Sequence, residues 1–207
     1  GLVRVGGVFE RSGKGKALRT TRKEAEAIVE EFRRRFEASP EAVPSIGVVT
    51  FNQQQRAFIE ALIRDGGDTR IIEALDSTQE EGLFIKNLEN VQGDERDVIL
   101  FSTAFSVNAN GVLPLNFGPL SLEGGERRLN VAITRARRQV VLFTSFEPSQ
   151  LRAEETKNVG VKHLRAYLEM ADVGARALES ARLRRRDRDL HREDIADALK
   201  ERGFVVE

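Results

Sequence analysis

SIGVVTFNQQQRAFIEALIRDGG, residues 45–67, decides the fold class. It opens with a short apolar run, Ser45 to Phe51, in which polar and apolar positions do not alternate. Such a run fits a parallel strand covered on both faces. Asn52 can then cap a helix whose inner face holds Phe58, Leu62 and Ile63, and Asp65-Gly66-Gly67 ends it. Upstream, Ala25, Ile28, Val29, Phe32 and Phe36 share a helical face between Thr21 and Phe36, with Thr21 and Glu24 spaced as a capping box. LFIKNL (83–88), DVILFSTAF (97–105) and QVVLFTS (139–145) are further strand candidates, and ERRLNVAITRAR (126–137) reads as helix. LVRVGGVF (2–9) has strand composition broken by a glycine pair. Strands alternating with helices predict a doubly wound, mostly parallel α/β sheet flanked by helices, with functional loops at the carboxyl ends of the strands.

After Pro148 the character shifts. Residues 160–189 read as helix, with Leu164, Tyr167, Leu168, Leu178 and Leu183 as apolar points and a charged end, ARLRRRDRD (181–189). HREDIADALKERGFVVE (191–207) restarts with a helix, a stop at Gly203 and the first residues of a strand. The expected division is an α/β lobe over 1–146, a helical extension over 147–189 and the start of another domain over 190–207.

Composition narrows the chemistry. The 207 residues are 40% hydrophobic and 32% charged, with a formal net charge of zero. That balance suits a globular chain and announces no global basic field for nucleic acid. The absence of cysteine removes disulfides and thiolate metal sites, and only His163 and His191 are available for imidazole chemistry. Asp187, Asp189, Glu193 and Asp194 read as a charged exposed helix rather than metal ligands. No apolar run approaches the roughly 20 residues of a membrane span, so no membrane partner is expected. The opening GLVRVGGVFE lacks a signal-peptide layout, and a cytoplasmic location is the default expectation.

Three polar segments are candidate sites. ENVQGDERD (89–97) places Gly93 beside Asp94 and Glu95, where backbone can approach a ligand and a carboxylate can accept from a ribose hydroxyl. A plain surface turn has the same composition. In GGERRLNVAITRARRQ (124–139), Leu129, Ala132, Ile133 and Ala136 form a core stripe. Arg128 and Arg135, seven apart, share a helical face that suits either phosphate or solvent. The helix opening at Asn52 can bind a phosphate or simply be capped.

Taken together, IGVVTFNQQQ, VQGDERDVILFS and RRLNVAITRARRQVVLF resemble, in order, motifs IV, V and VI of the second RecA-like lobe of superfamily 1B helicases, the group of the nonsense-mediated-decay helicase. The resemblance covers about residues 1–146. More narrowly, KNLENVQGDERDV with LNFGPLSLEGGERRLNVAITRARRQ is similar to large bacterial helicases that end in a domain resembling the very-short-patch-repair endonuclease. IADALKERGFVVE looks like the start of that domain, whose catalytic core is expected beyond Glu207.

The resemblance implies a P-loop NTPase-type lobe supplying half of an ATP site. Arg135 is implied as the arginine finger, with Arg128 supporting the same surface. Gly93 is implied to approach the phosphates, Glu95 to hold the ribose hydroxyl, and Gln92 to link nucleotide to nucleic acid. Thr50, Asn87 and Thr103 are implied near the backbone of single-stranded DNA or RNA. The ATP and Mg²⁺ partners are expected on an N-terminal RecA-like lobe of the same full-length chain, since no GxxxxGK pattern followed by Ser or Thr occurs here. The Gln-Tyr-Arg-x-His-Pro element that opens such lobes is absent, Asn87 stands where the family often has Ser or Thr, and Asp94 replaces a frequent Arg. Two other functions fit the same residues: a motor-like binding module without turnover, and a module that positions a downstream nuclease. The motor reading makes one geometric demand, that the Arg135 guanidinium lie unburied at the carboxyl edge of the sheet and point across a cleft.

Overall fold

The computed structural model describes residues 1–10, 19–77, 82–108 and 110–174. Its strands are β1 (Leu2–Arg4), β2 (Phe9–Glu10), β3 (Thr20–Thr21), β4 (Ile46–Thr50), β5 (Phe84–Asn87), β6 (Arg96–Ser102) and β7 (Ala136–Thr144). Its helices are α1 (Arg22–Glu37), α2 (Gln53–Gly66), α3 (Thr69–Asp76), α4 (Gly125–Ile133) and α5 (159–174). Five strands form one sheet in the order β1-β7-β6-β4-β5, and every pairing in it is parallel. β2 and β3 form a separate antiparallel pair.

The apolar runs are buried on both faces, and the period of two in a strand sorts their side chains. Ile46, Val48, Val98, Leu100, Val141 and Phe143 pack with α1, α2 and α3 through Ile28, Phe32, Ile59, Ile63 and Ile71. Val49, Phe51, Ile99, Phe101 and Leu142 face the other way, onto Leu129 and Ala132 of α4 and Val161, Leu164 and Leu168 of α5. The sheet is therefore doubly wound, as the sequence predicts. Tyr167 packs at the margin of the second cluster, and His163 is exposed.

Several local expectations change. Thr21 does precede α1, but its side chain makes no capping bond and its Oγ1 is buried without a partner. Glu24 does not reach back to the helix start; it turns into the protein interior, as described below. On α2 the fully buried residues are Gln55, Ile59 and Ile63, while Phe58 and Leu62 are only partly covered. α4 stops at Ile133, so Arg135 lies in the turn before β7 and Ala136 is already strand. The seven-residue helical spacing of Arg128 and Arg135 therefore never forms. α3, capped by the Asp68 carboxylate accepting from the Ile71 N–H at 3.2 Å, is an element the sequence reading passed over. Residues 175–207, with Leu178, Leu183, the charged run and the restart at 191, lie outside the described residues.

α5 sits close against the loop that leads into α4. A Cβ added at Gly160 would stand 2.3 Å from the Leu120 carbonyl oxygen and 3.0 Å from the Gly125 carbonyl carbon. These are backbone atoms and cannot yield as a side chain would. Gly160→Ala is expected to cost about 2 kcal/mol by overpacking, a fall in Tm of roughly 5 °C. Thermal melting of the variant checks this; an unchanged Tm would mean that α5 is not docked as described.

Candidate functional site

Because the five strands are parallel, the sheet has an amino edge and a carboxyl edge, and the polar segments divide between them. Gly93, Asp94 and Glu95 immediately precede β6, and Arg135 immediately precedes β7. The Arg96 N–H donates to the Arg135 carbonyl at 3.0 Å, which locks the two strand starts side by side. The Arg135 guanidinium donates from Nε to the Val131 carbonyl at 3.0 Å and from Nη1 to Glu95 Oε1 at 3.3 Å. Its side chain is 22% exposed and that of Glu95 51% exposed. Gly93 has φ +91°, a conformation that favours glycine, and a Cβ built there would meet nothing within 4 Å. Asp94, the acidic departure in this loop, is neutralised by Lys86 at 2.5 Å. Gln92 is exposed in the same loop.

The structure does not meet the geometric demand stated above: the expectation that Arg135 lies at the carboxyl edge is overturned, and the position of this arginine does not by itself carry the motor reading. Arg135 is unburied, but it stands at the amino edge, opposite to the carboxyl edge. The reason is topological: a turn from a helix into a parallel strand must lie where strands begin. The general rule that ligands collect at carboxyl ends does not place this arginine, and any nucleotide it meets must be presented to the amino edge. Arg128 is not on that surface. It sits near the start of α4 and donates to the carbonyls of Glu123, at 2.9 Å, and Pro119, at 3.4 Å, so its guanidinium braces the preceding loop.

The carboxyl edge carries a second constellation. The order β5-β4-β6 makes the chain switch sides between β5 and β6, and a crevice opens at such a point. Here it is a groove of about 830 Å³ whose lining includes Phe9, Arg19, Asn52, Asn87 and Phe105. Phe9 and Phe105 stack with centroids 5.0 Å apart. Asn52 Oδ1 accepts from the Gln55 N–H at 2.8 Å, which leaves its Nδ2 buried and unpartnered. Asn87, 1% exposed, has an unpartnered Oδ1. One donor and one acceptor of residues lining the groove thus have no hydrogen-bond partner within the chain. Thr50 and Thr103 are fully buried and do not line the groove: Thr50 donates to the Asn52 carbonyl at 2.8 Å and Thr103 to Glu24 Oε1 at 3.0 Å. Of Thr50, Asn87 and Thr103, only Asn87 lines this groove.

Sequence reasoning missed Glu24 altogether as more than a cap. It is fully buried, and burial pushes its carboxyl up to about 7 even though Ser102, Ala104, Thr103 and Ser145 hydrogen bonds pull the other way. It also missed Gln55, whose side chain accepts from the Thr21 N–H at 2.8 Å and donates to the Thr21 carbonyl at 3.0 Å, pairing with backbone as a strand would. A buried polar residue inside an apolar stripe was the available signal in both cases. Among the described residues no three His, Asp or Glu side chains cluster to hold a metal ion, and no helix is long and apolar enough to cross a membrane.

A domain with this parallel sheet and these two polar edges has relatives. Residues 2–147 match the family AAA_12, described as an AAA domain, and the chain belongs to that family. Two curated relatives are each 41% identical over 128 residues, covering 60% of this chain: the uncharacterized ATP-dependent helicase MG140 of Mycoplasma genitalium and its homolog in Mycoplasma pneumoniae. The chain spans 11% of the length of either. A solved structure described as the C-terminal domain of a possible DNA helicase from a Lactobacillus aligns with TM-score 0.38 and 10% identity, over 59% of this chain and 67% of that one. A likeness that weak carries no weight here.

Proposed function

We propose that this chain is the C-terminal motor lobe of an ATP-dependent nucleic-acid helicase or translocase. The observation that carries the reading is the family match over residues 2–147, together with two relatives 41% identical whose names are ATP-dependent helicases. The order of motifs IV, V and VI supports it, and the Glu95–Arg135 pair beside the left-handed Gly93 offers a nucleotide surface at the amino edge. In this reading ATP binds between the amino edge and an N-terminal lobe that supplies the phosphate loop and the Mg²⁺ ligands. Glu95 accepts from the ribose, Gly93 admits the phosphates to the backbone, and Gln92 lies between nucleotide and nucleic acid. The bound ATP–Mg²⁺ supplies the phosphoryl group that is transferred to water.

Arg135 then leaves Glu95 and donates to oxygen atoms that gain charge as the phosphoryl group departs. Breaking the present ion pair is cheap. Half of it is solvent-exposed, and such pairs contribute on the order of 1 kcal/mol or less. The carboxyl-edge groove receives single-stranded DNA or RNA, with Phe9, backed by the buried Phe105 on which it stacks, offering apolar ring surface and Arg19 offering charge to the backbone. Residues 190–207 are read as the opening of a nuclease-like domain. The test is hydrolysis: full-length protein is expected to turn over ATP and to do so faster with single-stranded nucleic acid, while the 207-residue chain alone turns over none. Arg135-dependent hydrolysis by the chain alone would overturn the shared-site reading.

A further inference from the structure

Glu24 belongs to neither the nucleotide edge nor the lining of the groove, yet its carboxylate joins three segments beneath the carboxyl edge. Oε2 accepts from Ser102 Oγ at 2.7 Å and from the Ala104 N–H at 2.8 Å. Oε1 accepts from Thr103 Oγ1 and from Ser145 Oγ, both at 3.0 Å. Ser102 Oγ also accepts from Gln55 Nε2 at 3.1 Å, which extends the network to α2. Ala104 has φ +60°, and only two non-glycine residues are so placed among the described residues. The next residue is Phe105, which lines the groove, stacks on Phe9 and lies 4.8 Å from the Phe117 ring.

We propose that Glu24 is a positioning residue for the groove: its Oε2 holds the Ala104 N–H, and so the left-handed turn that directs Phe105 onto the groove wall. The inference rests on the nucleic-acid reading of that groove for its ligand, but not for its geometry. A left-handed alanine is disfavoured by steric repulsion between Cβ and the carbonyl oxygen. Hydroxyls can rotate to other acceptors, whereas the Ala104 N–H is fixed by the backbone and is held by Glu24 alone. When that acceptor is lost, the chain relaxes at Ala104 and the exit direction of Phe105 changes. Glycine at 104 removes the steric cost, so the turn no longer needs holding.

Two measurements test this at pH 8. The chain has no Trp and one Tyr, so Phe105→Trp is a clean reporter of ring placement. The indole introduced at position 105 is expected to be shielded from acrylamide in the otherwise unaltered chain, exposed with Glu24→Leu, and shielded again with Glu24→Leu plus Ala104→Gly. Leucine offers no acceptor, whereas in Glu24→Gln the amide oxygen can still accept from the Ala104 N–H while the NH2 donates to the Thr103 and Ser145 hydroxyls, so Glu24→Gln is expected to keep the indole shielded. In the full-length protein carrying Phe105, Glu24→Leu is expected to weaken anisotropy-detected binding of a fluorescent 20-mer of deoxythymidine about tenfold, the scale of one left-handed alanine. The double variant should return to within about threefold of wild type. Should Glu24→Leu alone not melt cooperatively, the double variant and Glu24→Gln carry the test. A shielded indole in folded Glu24→Leu, an exposed one in folded Glu24→Gln, or lost binding that Ala104→Gly does not restore overturns the proposal. Wild-type protein that ignores the oligonucleotide removes the ligand and with it the proposal, while the quenching result still shows whether the geometry was right.

Discussion

Replacing Arg135 by Ala in the full-length protein is expected to lower nucleic-acid-stimulated ATP hydrolysis by about 10³-fold or more, with nucleotide affinity changed far less. The separation follows from where the guanidinium acts. In the lone lobe it is held by the Val131 carbonyl and by Glu95, both replaceable contacts at a partly exposed site. In the proposed role its contribution would arise only when charge accumulates on the departing phosphoryl oxygens, so it would stabilise the transition state more than bound ATP. Arg135→Lys should fall nearly as far, because an ammonium has neither the planar fork nor its reach. Arg128→Ala, by contrast, loses a brace on the loop at Pro119 and Glu123 and should be felt chiefly in stability. Steady-state hydrolysis and nucleotide binding measured side by side decide the matter. An Arg135→Ala protein with near-wild-type turnover would remove the arginine-finger role and leave the amino edge without an assigned catalytic group.

Stability is expected to fall as pH rises from about 5 to 8, and Glu24 is the cause. Its ordinary value is 4.5 and its folded value about 7, because a fully buried carboxylate loses more hydration than its neutral donors return. A raised folded value means that the folded state holds the proton more tightly than the unfolded one. The contribution is therefore fully present below about pH 4.5 and is lost as pH climbs through about 7. The interval corresponds to about 3 kcal/mol, or roughly 10 °C in Tm. Glu31, whose value Arg34 and Arg35 lower against the cost of its own partial burial, works in the opposite sense and below this window. Comparing Tm against pH for wild type and Glu24→Gln isolates the effect: the wild-type curve should decline across the window and the variant curve should stay flat. Parallel curves would show that Glu24 ionises at an ordinary pH.

Most of the order of strands and helices, though not α3 or the short β2–β3 pair, was legible in the chain because it depends on local patterns. Ile46 to Thr50 is a short run without alternation, of strand length and closed by a helix cap, and fits a strand covered twice; the i, i+3, i+4 stripe of α1 fits a helix with one buried face. Asn52 was legible as a cap because capping is a contact between near neighbours, and the structure shows its side chain accepting from Gln55. Thr21 and Glu24 had the same kind of spacing, and there it misled. The interior offered Glu24 four donors from β6, β7 and the residues that follow them, more than the single N–H at a helix start.

Which residues meet was decided by tertiary structure alone. Nothing local announces that Glu95 will touch Arg135, since their contact exists only because β6 and β7 are parallel neighbours in register from Arg96 and Ala136. The same parallel pairing sent Arg135 to the amino edge and the Asn87–Phe105 groove to the carboxyl edge, although both sets sit in similar polar loops. Residue types and periods are properties of neighbours along the chain. The edge of a sheet on which a loop emerges is a property of direction, and direction is settled only when strands pair and the hydrogen-bond ladder commits them to one sense.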